Sequence, residues 1–159
     1  MRTRFANWLV RGLIAPGLAV MMTASVAAAE LPKDQDQVVD YIRTAIETRD
    51  YDMLKDLVFW KDTGKIKKRI VRFHLSRSLG RPIRSIGFED FPHDAFDEVK
   101  AGGRYAPNMD ITHAVRVVFD EPPTESSGKP PTAVFLLGKR ADVFRIALVN
   151  RAFDDDDDD

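Results

Sequence analysis

Few side chains in these 159 residues have both a type and a setting suited to chemistry, and His113 comes first. Ile111, His113, Val115, Val117 and Phe119 alternate with Thr112, Ala114, Arg116, Val118 and Asp120, the period of a half-buried strand. Parity therefore places the imidazole on the apolar, inward face. Desolvation there would hold the ring neutral, able to act as a base or as a hydrogen-bonding group in a pocket. Tyr105, Asp110 and Asp90 are the hydroxyl and acid groups that could approach it if the preceding connection folds over the sheet. His113, Tyr105 and Asp110 are thus the candidate acid–base set, in opposition to a simpler reading. A His at a strand start is as readily satisfied by a carbonyl at the sheet rim, and no neighbour in sequence fixes this ring.

The second feature is a basic run. Lys61, Lys65, Lys67, Lys68, Arg69, Arg72, Arg77, Arg81 and Arg84 share their stretch with a single acid, Asp62. On a helix Lys65, Lys68, Arg69 and Arg72 fall on one side, a strip that attracts anionic surfaces such as lipid head groups or envelope polymers. Nucleic acid is not expected, because the run lacks the interleaved aromatics on which bases stack. The plain alternative is a solvated helix face. The third feature is Asp154 to Asp159, six acids in a row. Such a run repels itself and is expected to stay unstructured, serving solubility or folding back on the basic helix to mask it.

Composition closes other routes. The chain has no cysteine, which excludes disulfides, a thiolate nucleophile and thiolate zinc sites. The three histidines, His74, His93 and His113, lack the spacing of a helical metal pair, so no metal and no cofactor is expected.

The first 29 residues read as an export signal. Arg2, Arg4 and Arg11 form a positive start, Gly12 to Ala29 carry no charge, and Ala27 and Ala29 are small residues at −3 and −1 of a cut before Glu30. An uncharged stretch of that length would just span a bilayer, but Pro16-Gly17 argues against a firm spanning helix. No paired arginines and no lipid-accepting cysteine accompany it. The expectation is a periplasmic or secreted protein cleaved near Ala29, with one domain over 30–153 and a tail over 154–159. Loss of the three leader arginines leaves the processed chain at a net −4. Without the six aspartates it would be +2, so the acidity belongs to the tail.

Elements follow from periodicity. Val38, Tyr41, Ile42, Ala45 and Ile46 recur at helical spacing behind Asp34 or Asp36 as cap. Arg49-Asp50 interrupts, and Tyr51, Leu54, Leu57 and Val58 continue as a bent helix or a second one capped by Asp50. A third helix is expected over 65–79 with Ile66, Ile70 and Phe73 on one stripe, stopped by Gly80 and Pro82. Tyr41, Tyr51, Phe59, Trp60 and Phe73 are expected at the junction of helices and sheet. Strands are expected at 83–91, 111–120, 132–138 and 143–151, the last two as a hairpin. The stretch 92–110 reads as a connection with one helical turn near 95–100, and 121–131 as a Pro-rich loop. Helices first and strands after imply an α+β fold.

That order, with the phrase Ala45-Ile46-x-x-Arg49-Asp50-Tyr51-Asp52, a third helix ending at Leu79-Gly80 and the strands after it, resembles the NTF2-like (cystatin-like) superfamily over about 38–151. The resemblance implies N-terminal helices packed on a curved antiparallel sheet of about four strands, a cone around a pocket. Some members are isomerases, dehydratases or cyclases, while many only bind or mediate assembly; no catalytic motif of the family maps onto this chain. The reading that follows is an exported, non-enzymatic accessory domain for a small apolar ligand or an envelope protein. Two alternatives stand beside it: a pocket enzyme using His113, and an adaptor for an anionic envelope surface through 65–81. Oligomeric state is left open, sheet-face dimers being common in proteins that look like this.

Overall fold

In the computed structural model, residues 30–92, 94–95, 97, 101–103, 105–123 and 128–151 are described. The expected signal (1–29), the acidic run (154–159), His93 and most of the helical turn expected at 95–100 lie outside them.

Asp34 opens the first helix, α1 (Gln35–Thr48), its carboxylate accepting from Gln37 N at 2.8 Å. This satisfies one of the donors that a helix start leaves over. Arg49 ends α1 in the left-handed region (φ 60°), and Asp50 caps the next helix, α2 (Tyr51–Leu57), by accepting from Met53 N at 3.0 Å. The interruption is therefore two capped helices and not one bent helix. Then comes α3 (Lys65–Ser78), which leads into Gly80 at φ +71°. That glycine donates to Ile46 O at 2.7 Å, tying the end of α3 to the end of α1, and a Cβ at this position would run into Arg49.

Among the described residues six strands follow: β1 (Ile83–Asp90), β2 (Tyr105–Pro107), β3 (His113–Phe119), β4 (Thr132–Arg140), β5 (Val143–Ile146) and β6 (Val149–Arg151). Four of them form an antiparallel sheet in the order β1-β3-β4-β5. The alternation read in β3 holds from Val115 onward, with Val115, Val117 and Phe119 buried and Arg116 exposed, while Ala114, expected outward, is buried as well. The strands β4 and β5 join through Ala141-Asp142, both at positive φ, the conformation that matches the sheet's twist in a two-residue hairpin.

Two expectations need correction. The segment 143–151 is not one strand: Ala147 and Leu148 break it, and β6 leaves the main sheet to pair with β2 in a two-stranded one. Within 92–110, β2 itself was not foreseen. Asn108 accounts for both, donating to Phe59 O and Lys61 O at 2.5 and 3.1 Å and accepting from Leu148 N at 2.9 Å. It thereby pins the chain after β5 to the loop between α2 and α3. A three-residue strand held by one side chain leaves no periodic trace.

The helices cover one face of the sheet. Val38, Ile42, Ala45 and Ile46 of α1 with Leu54 and Leu57 of α2 meet Val115, Val117, Phe119, Phe135, Leu137, Phe144 and Ile146 in one buried cluster. Thus the architecture is α+β, with one buried apolar cluster where α1 and α2 meet the sheet.

Candidate functional site

The outward face of α3 departs most from what a soluble surface requires. Its inward positions are Leu75 and Ser78, with Lys67, Lys68 and Val71 half-buried, and Lys67 Nζ donates to Val149 O at 2.9 Å. The opposite side therefore faces out, and it carries Ile66, Ile70 and Phe73, exposed to 61%, 47% and 58%. These three sit four and three residues apart, so they form one continuous apolar ridge. The expectation that Phe73 would line the helix–sheet junction is overturned. Both the 66-70-73 and the 71-75-78 stripes have helical spacing, and it is the second that meets the core.

Basic groups flank the ridge. The sequence of α3 contains no acid; it holds Lys65, Lys67, Lys68, Arg69, Arg72 and Arg77. Lys65, Arg69 and Arg72 are exposed along one flank, whereas Lys68 is half-buried, so the expected four-residue strip survives in part. The Arg77 guanidinium lies 5.7 Å from the centroid of the Phe73 ring. Beyond the helix the basic run is neutralised. Arg81 donates twice to the Glu121 carboxylate, each at 2.7 Å, while lying 3.8 Å over the Phe119 ring, and Arg84 pairs with Asp120 at 2.8 Å. Hydrogen bonding from Arg81 holds the Glu121 carboxyl below its ordinary range, and the same bond raises Arg81.

Behind α3, β5 covers β4 only from Leu137 to Arg140, so the half of β4 from Thr132 to Leu136 borders an open groove. This groove, about 400 Å³, is lined by Val71, His74 and Leu75 of α3 and by Val134, Leu136 and Leu148. Val134 is 45% exposed there.

His113 is not sealed in a pocket. It opens β3 opposite Asp90 of β1 and keeps 29% of its side chain exposed. Its Nδ1 is 2.7 Å from Thr112 Oγ1 and its Nε2 is 3.6 Å from Asp90, a carboxylate 97% exposed. Phe88 and Phe144 pack against the ring at 4.7 and 5.8 Å between centroids. Of the acids considered, the ladder register brings Asp90. Tyr105 lies in β2 beside Arg151, and Asp110 is exposed before β3 with its carbonyl against Gly138; neither bonds to His113 among the described contacts. No group of three or more metal-ligating side chains converges among the described residues.

Sequence reasoning missed that the apolar ridge and the basic residues share one exposed face. The signal was present, since α3 has more large apolar residues than a single buried stripe can use. No family model matches the chain, and no curated protein and no solved structure is significantly similar to it.

Proposed function

We propose that this is an exported accessory protein that docks on an anionic lipid surface through α3. The observation that carries this reading is the ridge of Ile66, Ile70 and Phe73, exposed on a helix without acids and flanked by Lys65, Arg69 and Arg72. A helix of this kind lies in the plane of a bilayer interface, its apolar side chains in the acyl boundary and its cationic ends reaching back to the phosphates. Each cation near such a surface contributes about 1 kcal/mol, so three to five of them give reversible attachment rather than insertion. Among the described residues no helix is long and apolar enough to cross a membrane. Export through removal of 1–29 belongs to the same reading, as does an NTF2-like cone for the fold. The helices-then-sheet order supports the cone.

The test is co-sedimentation of the chain from Glu30 onward with phosphatidylglycerol-rich vesicles and with pure phosphatidylcholine vesicles. Binding is expected only to the former. Ile66→Ser/Ile70→Ser/Phe73→Ser and Arg69→Glu/Arg72→Glu should each abolish it. Binding that either variant retains in full would overturn the proposal, and the mass of the exported protein should correspond to a start at Glu30.

A second reading rests on the groove behind α3, whose volume falls within the usual range for small-molecule sites and whose walls mix apolar side chains with His74, Arg77 and Arg81. A small apolar ligand there should be displaced by Leu148→Trp, as read by competition with a fluorescent fatty acid.

A further inference from the structure

Resting on that reading, we infer that the acidic segment 154–159 of this chain occupies the exposed face of α3 and competes with the anionic surface for it. Three observations support the inference. The first is charge: six consecutive aspartates face a helix that carries six Lys and Arg and no acid. No other stretch of the sequence matches α3 in this way.

The second is where the segment starts. Strand β6 ends at Arg151, and its neighbours on the chain are fixed to the beginning of α3. Lys67 Nζ holds Val149 O at 2.9 Å, and Asn150 Nδ2 donates at 2.6 Å to the carbonyl of Asp62, just before the helix. The chain thus leaves the described fold beside the first turn of α3, the end at which a helix attracts negative charge.

The third is reach. Eight residues, 152–159, span up to about 26 Å when extended. The 14 residues of α3 rise about 21 Å. The extended segment is thus comparable in length with the helix.

Such a contact works by competition. Exposed pairs are individually weak and screened by salt, so the segment cannot hold the face against a dense phosphate surface. It raises the surface charge density needed for docking and covers Ile66, Ile70 and Phe73 in the free protein.

The chain has no cysteine, so a dye pair on Ser76→Cys and Asp159→Cys is unambiguous. Energy transfer in the processed chain is expected to be high at low salt, to fall as salt rises, and to be independent of protein concentration. Replacing all six aspartates by serine in the full processed chain should tighten binding to phosphatidylglycerol-rich vesicles about tenfold at low ionic strength. The difference should vanish in high salt, where the Debye length shrinks to a few ångströms. Low transfer that is indifferent to salt would overturn the inference, as would transfer that rises with protein concentration, which would indicate the segment of a second copy. Equal vesicle binding by both proteins would overturn it as well. If the serine variant binds no vesicle while the salt-dependent transfer persists, the intramolecular contact stands and the lipid reading fails.

Discussion

At the scale of single residues, the Arg81–Glu121 pair makes the sharpest pH statement. The Glu121 carboxyl titrates below its ordinary value in the fold because Arg81 hydrogen-bonds its charged form. Its contribution to stability is therefore complete above the unfolded carboxyl pKa of about 4.3 and is lost as pH falls through the lower, folded value. Glu121→Gln should lower the urea midpoint at neutral pH, and the gap to the parent should close in strong acid. A gap that is constant down to acid would show that the pair contributes through packing alone. The glycines give a second test. A Cβ at Gly138 would collide with the carbonyl of Asp110 and with Met109, whereas one at Gly87 meets nothing within 4 Å. Gly138→Ala should cost about 1–3 kcal/mol by overpacking, and Gly87→Ala should be neutral or slightly stabilising in the same denaturation assay. Neither residue is distinguished by its sequence neighbours, because the difference lies in what a distant loop places over each.

At the scale of elements, α3 holds two stripes of helical spacing and buries only one. Leu75→Ala should therefore destabilise the protein by about 2–5 kcal/mol, as a core truncation does. Phe73→Ser, two residues away, should change stability by less than about 0.5 kcal/mol while reducing vesicle binding. Thermal and urea unfolding of the two variants decide the matter; comparable losses would mean that the 66-70-73 ridge is packed in solution. Much of the element plan was legible from sequence. A cap is a local hydrogen bond, so the sequence narrowed the first helix start to Asp34 or Asp36 and marked Asp50 as a bend or a second start; the structure takes Asp34 and a second helix. The alternation of β3 spans the strand and announced its faces. The stripe that α3 turns inward was not legible: Ile66, Ile70 and Phe73 are as apolar as Val71 and Leu75, and only the neighbours of the helix choose between them. The same holds for β2, whose three residues are held in place by Asn108.

At the scale of the whole molecule, charge is distributed so that the fold and the segment after it oppose each other. Counted from Glu30, the chain to residue 153 is +2, and the six aspartates bring it to −4. Vesicle binding by the parent protein should accordingly depend on salt in two directions. Moderate salt weakens the intramolecular contact, and higher salt weakens docking itself, so bound fraction plotted against ionic strength should pass through a maximum. The serine variant should show only the decline.

The amino-acid order alone determined the α+β class, the helical periodicity at the start, the inward parity of Val115, Val117 and Phe119, and the charge opposition between 65–78 and 154–159. All of these depend on contacts between near neighbours or on composition, which a linear reading contains. Tertiary structure decided which face of α3 is left in water, that Asp90 and not Tyr105 or Asp110 stands beside His113, and that β6 returns the chain to the start of α3. Those outcomes rest on pairings between residues tens of positions apart. Strand register and helix rotation are set by what lies opposite, and nothing local encodes it.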